Sequence, residues 1–195
     1  MIQSKSDYYY YLERDRIALG RPALSILIRV KEFVYIDYIW KFQRLLRKTE
    51  YFKNVASKKS IVAKIIYFLL KIRFKKLSLK LGFSIPENVF GPGLAIIHYG
   101  TIVVNPRAKV GANCRIHVCT NIGESGGIVG APVIGDNVYI GPGAKIYGNI
   151  IVPNNTVIAA NAAVNKSIEE PGMMIAGVPA KPIKKIDVKS IIKHI

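Results

Sequence analysis

The sequence predicts an α+β protein: an N-terminal α-helical domain followed by a parallel β-helix of hexapeptide repeats. Three observations predict it. Residues 1–81 hold nineteen Lys and Arg against six Asp and Glu, a balance of +13; residues 82–173 are neutral with five of each, and residues 174–195 add +4. Glycine and proline run the other way: Gly20 and Pro22 are alone in the first part, and fifteen Gly and nine Pro follow from Gly82 on. Beyond Gly82 the apolar residues also adopt a period of six. The coincident shifts mark a boundary near Gly82. They divide the chain into a basic helical domain over 1–81, a β-helix over 82–172 and a basic C-terminal extension over 173–195. With 50% of its 195 residues hydrophobic, the chain has a real core despite a formal charge of +17.

Three amphipathic helices are predicted in the first part. Ser6 or Asp7 caps one that runs to about Leu19, where Gly20 and Pro22 stop it. A second, about Tyr35 to Phe52, sets Ile39, Phe42, Leu45 and Leu46 on one face and Lys41, Arg44, Arg47 and Lys48 largely on others. A third, about Ser60 to Leu81, carries Ile61, Ile65, Phe68, Leu69 and Ile72 at helical spacing and ends at Gly82. The longest apolar run, Ile65–Leu70, falls far short of the roughly 20 residues that span a bilayer. Met1–Tyr11 lacks the apolar stretch of a signal peptide, so a cytoplasmic protein is expected.

In the second part Val104, Val110, Ile116, Ile122, Ile134, Ile140, Ile146, Val152, Ile158 and Val164 lie on one series of six, with Ile128 falling in a glycine-rich loop. Four places after each aliphatic comes a small or β-branched residue: Ala108, Cys114, Thr120, Val138, Ala144, Ile150, Thr156, Ala162. A sandwich strand would alternate with period two. Six residues instead make one short strand and one corner, and three such faces close a triangular coil that stacks on the next.

The motifs Gly91-Pro-Gly-Leu, His98-Tyr-Gly-Thr-Ile-Val-Val, Asn121-Ile-Gly, Ile134-Gly-Asp-Asn-Val, Ile140-Gly-Pro-Gly-Ala-Lys-Ile and Ala176-Gly-Val-Pro-Ala-Lys-Pro together resemble the hexapeptide acyltransferases, most closely their serine acetyltransferase branch. The resemblance covers about half the chain. It implies a left-handed coil, a homotrimer, and acetyl-CoA as co-substrate in a groove between neighbouring β-helices; assembly beyond the trimer through the N-terminal helices is left open. The chain also departs from that branch. An aspartate expected before the catalytic histidine is Ile97, its aspartate partner is Phe83, and an Arg-His pair that grips the serine carboxylate is Gly130 and Ala131.

Acetyl transfer to a hydroxyl needs a base, and an imidazole suits that task near neutral pH. Of His98, His117 and His194, the resemblance makes His98 the base. His117 follows the inward Ile116 and points outward about one coil beyond; it and Tyr99 are candidates for acceptor contact, though a structural role for His117 is equally open. His194 is expected in solvent. Glu124, a backbone carbonyl or, less well, Glu87 would orient His98 in place of the missing aspartate. The resemblance assigns the cofactor to Gly123, Gly126, Gly127, Gly141, Pro142, Ala160, Ala176, Gly177 and Lys181, with Lys181 toward the CoA phosphates. Cys114 and Cys119 exclude a disulfide scaffold and a Cys-rich zinc module, and neither is expected to serve as an acyl-cysteine.

The missing carboxylate clamp leads to the expectation of a saccharide acceptor, an O-acetyltransferase of a bacterial polysaccharide or its precursor, since an unpartnered carboxylate would be desolvated at a cost. The basic helices would then suit peripheral contact with an anionic membrane or an acidic glycan. Serine O-acetylation for cysteine biosynthesis is the alternative, and a β-helix scaffold the non-enzymatic one. A zinc carbonic anhydrase of this fold needs three histidines where the repeat region has two, so no metal is expected. Nucleic acid is not expected as a partner, because no recognised motif accompanies the charge.

Overall fold

The computed structural model describes residues 1–23, 35–127 and 129–195. Helix α1 is Lys5–Ala18, α2 is Tyr38–Asn54 and α3 is Ile61–Leu81. The α1 cap is Ser4, whose Oγ accepts from the Asp7 N–H while Asp7 accepts from the Gln3 N–H, so the expected cap at Ser6 or Asp7 shifts toward the N-terminus. Asp37 caps α2 and Ser60 caps α3, which ends at Gly82 with φ of 77°. Among the described residues no helix is long and apolar enough to cross a membrane.

Two helical expectations are corrected. Arg47 lies fully buried, bonded to Asp15 and Glu50 and donating to the Phe90 and Gly91 carbonyls. Asp15 in turn accepts from the Gly93 and Leu94 N–H groups. This buried network fastens α1 and α2 to the first turn of the β-helix. Burial opposes the Arg47 charge, yet the two carboxylates hold its pKa above the ordinary value. The second correction is the face of α3: Leu70, Phe74, Leu77 and Leu81 are buried, whereas Ile61, Ile65, Phe68, Leu69 and Ile72 are exposed.

From Phe83 the chain winds three parallel sheets. The first is β1 (Phe83–Ser84), β3 (Ile102–Val104), β6 (Thr120–Gly123), β9 (Lys145–Tyr147) and β12 (Ala163–Val164). The second is β4 (Lys109–Val110), β7 (Val133–Ile134) and β10 (Ile151–Val152). The third is β2 (Ala95–Ile96), β5 (Arg115–Ile116), β8 (Tyr139–Ile140), β11 (Val157–Ile158) and β13 (Met173–Gly177), closed by the antiparallel β14 (Ala180–Lys185). All ten aliphatics of the predicted series are buried, as are all eight residues of the small series. The Ile128 slot lies outside the described residues.

Coil length follows from register. Val133 pairs with Ile151, 18 residues on, but Lys109 pairs with Val133, 24 residues on, because the glycine-rich loop adds one hexad. At one corner Asn113, Asn137 and Asn155 all adopt left-handed φ near 57–59° and bond side chain to side chain down the prism. Arg14 of α1 ends that ladder by donating to Asn113. Asparagine is one of the few residues with a side chain that tolerates this conformation.

The C-terminal extension packs back onto the prism. β13 pairs in parallel with β11 and so continues the prism past residue 172. Val188 and Ile192 pack on Val157, with Tyr139 and Met174 beside them.

Candidate active site

His98 stands just past β2, exposed on the edge where the third sheet turns toward the first. Register fixes what lies below it. Ile96 pairs with Ile116, Ile116 with Ile140, Ile140 with Ile158 and Ile158 with Ile175. One residue on, Ile97, His117, Gly141, Ala159 and Ala176 make a row down the prism; two residues on, His98, Val118, Pro142, Ala160 and Gly177 make the next. Rungs about 4.8 Å apart give the second row a length of about 19 Å. The strip expected for the cofactor, Gly141, Pro142, Ala160, Ala176 and Gly177, therefore shares one edge with His98. A Cβ on Gly141 would meet the Ala160 nitrogen at 2.7 Å, so only glycine fits between the coils there. Lys181 pairs with Ala176 across β13 and β14 and is exposed at the end of the strip.

His117 falls opposite Ile97, one place short of His98, because this coil takes 20 residues between Ile96 and Ile116. Its ring still lies 6.1 Å from that of His98 and 5.1 Å from that of Tyr139, centroid to centroid. Its Nε2 is shielded from solvent with no hydrogen-bond partner. Burial, then Arg115 and His98, hold its pKa below the ordinary imidazole value and keep the ring neutral. Tyr99, beside His98, is 73% exposed.

Arg115 is the residue that sequence reasoning missed. It sits two places before His117 on the same outward face, about 7 Å away at strand spacing. It is half-buried and, among the described residues, has neither hydrogen bond nor ion pair from its side chain. It also lines a cavity of about 280 Å³ together with Ile97 and the ion-paired Arg21 and Asp37. The alternation of β5 could have flagged it, since Ile116 points inward and its two neighbours must point out.

Several expectations are corrected. Glu124 pairs with Arg107 at 2.8 Å, and Glu87 pairs with Lys53 at 2.8 Å and accepts from Tyr67, so neither carboxylate orients His98. Gly123 ends β6, and with Gly126 and Gly127 it lies at the far end of that strand from the His98 edge of the same chain. A Cβ on Gly126 or Gly127 would meet nothing within 4 Å, which leaves open space at the loop. His194 is half-buried with its Nε2 shielded and unpartnered, because Ile192 draws the segment onto the sheet. Cys114 is buried, which pushes its thiol up to about 12 and removes it as a nucleophile. Among the described residues no cluster of His, Cys, Asp and Glu could hold a metal ion.

Residues 131–166 match the family model for the bacterial transferase hexapeptide (six repeats). A serine acetyltransferase of Mycobacterium tuberculosis is 36% identical over 100 residues, 50% of this chain and 43% of that protein. The chain thus spans less than half the length of this curated relative. Among solved structures, a serine acetyltransferase from Brucella abortus in complex with coenzyme A is 26% identical, with a TM-score of 0.68 over 93% of this chain and 70% of that one. One from Neisseria gonorrhoeae in complex with serine is 25% identical, with a TM-score of 0.67 over 93% and 71%. Together, the repeat family and these neighbours imply a helical domain followed by a left-handed β-helix. They also overturn the expected saccharide acceptor, because the similar proteins are serine acetyltransferases. That expectation rested on the uncharged Gly130 and Ala131 at the place of the carboxylate-binding pair.

Proposed function

We propose that this chain is a cytoplasmic, homotrimeric serine O-acetyltransferase that uses acetyl-CoA, with His98 as general base. The observation that carries the reading is the shared edge, an exposed imidazole at the head of a row that continues through Pro142, Ala160 and Gly177. This row supports a CoA arm laid along Gly141, Pro142, Ala160, Ala176 and Gly177, its thioester at His98 and its phosphates toward Lys181. The open loop of Gly126 and Gly127 supports assembly as a trimer in which this loop, with Gly123 and Glu124, closes over the next chain's edge.

His98 takes the serine hydroxyl proton as the oxygen bonds to the acetyl carbonyl carbon. The carbon–sulfur bond then breaks, and the imidazolium returns its proton to the departing thiolate. Arg115 receives the acceptor's carboxylate in a charge-assisted pair, while Tyr99 and the neutral His117 flank it.

The test is purified protein with acetyl-CoA and L-serine, followed by free-thiol release. His98→Ala is expected to lower turnover by about 10²–10⁴, the usual worth of a positioned base. Survival within tenfold, or no transfer to serine by the native protein, refutes the reading. Arg115→Met is expected to raise the KM for serine by about tenfold or more, the value of a hydrogen bond to a charged group, with the KM for acetyl-CoA unchanged.

A further inference from the structure

Helix α3 carries two apolar stripes. At 3.6 residues per turn, Leu70, Phe74, Leu77 and Leu81 share one face, and Ile61, Ile65, Phe68, Ile72 and Leu79 fall within about 60° of arc on the opposite face. The first stripe is the buried one. In the second, Ile61 is 69% exposed, Ile65 57%, Phe68 63% and Leu79 70%. It extends about 27 Å along the helix axis. Lys64, Lys71 and Lys75 flank it on one side and Arg73, Lys76 and Lys80 on the other; all six are exposed, and α3 contains no Asp or Glu.

We propose that this face of α3 docks in the plane of an anionic lipid surface, with the Ile61–Leu79 stripe at the acyl boundary and the six flanking cations among the headgroups. The chemistry separates this partner from two others. A second copy of the chain would bring the same six cations against their counterparts with no carboxylate on either helix to meet them. A nucleic acid would satisfy the cations and leave the apolar stripe in water. A lipid surface satisfies both, because long basic side chains reach the headgroups while their stems and the stripe contact hydrocarbon. The docking face is independent of the acetyl-transfer reading, as none of its residues lies in the β-helix.

Co-sedimentation with vesicles tests it. The full chain is expected to bind vesicles of equal parts phosphatidylcholine and phosphatidylglycerol, to be released as salt rises, and to ignore phosphatidylcholine alone. Ile65→Ser with Phe68→Ser, both exposed, is expected to weaken binding roughly tenfold or more while sedimentation and thermal unfolding stay unchanged. Lys75→Gln with Lys76→Gln is expected to weaken it too. Three results overturn the proposal: no binding to the anionic vesicles, binding that needs the lysines but not Phe68, or a fall in oligomeric size in the serine variant, which would identify a second copy as the occupant.

Discussion

The β-helix and the helical domain solve burial in opposite ways. The β-helix is neutral and lines its interior with one column of aliphatics, its backbone groups paired coil to coil. The helical domain is strongly basic, seals Arg47, Asp15 and Glu50 where it meets the first coil, and leaves a row of large apolar side chains outside. A repeating backbone ladder makes each side chain's direction a matter of counting. A helix packed on one side makes it a matter of which face its neighbours cover. The same hydrophobic residue thus has a determined location in one region and a contingent one in the other.

The sharpest way to break this contrast is at the junction. Arg47→Ala would strand two buried carboxylates and is expected to cost about 3–5 kcal/mol in urea unfolding, the usual penalty for removing one partner of a buried ion pair. A loss under 1 kcal/mol would mean that the network is not what fastens the domains. Next comes a matched pair of truncations. Ile140→Ala in the column is expected to cost about 2–5 kcal/mol, whereas Phe68→Ala on the exposed stripe is expected to cost under about 0.5 kcal/mol. Equal losses would erase the distinction between the stripes.

The smallest effect concerns pH. Burial lowers the pKa of His117 and of His194 from 6.5, so as pH falls through that value the unfolded chain binds more protons than the folded one. Stability is therefore full above pH 6.5 and declines below it. Replacing both histidines with Gln is expected to flatten the acid limb of a Tm–pH profile by about one to two degrees, small because both rings are partly screened by solvent.

Much of the β-helix was legible because its signal is redundant: each of Ile116, Ile140 and Ile158 implies the next. The same repeat makes it legible that His98 shares an edge with Gly141, Ala160 and Ala176. What escaped had no repeat behind it. Nothing in the order of residues says that Arg47, one cation among many, meets Asp15 across a gap of thirty-two positions. The buried face of α3 is not legible, because apolar stripes lie on opposite sides of the helix and periodicity does not rank them. Arg115 likewise stands at an outward position of β5 that the aliphatic series does not mark.

The loop between β6 and β7 lengthens its coil by one hexad, and every later strand still meets its partner in phase. The stacked prism behaves like a screw thread: material added at a corner is displaced to the outside and the thread resumes. Coils of 17, 19 and 20 residues keep their strands in phase as well, so the corners absorb the surplus or the deficit. This chain is therefore open to revision at its corners, and new surface chemistry can be inserted there without renegotiating the core beneath it.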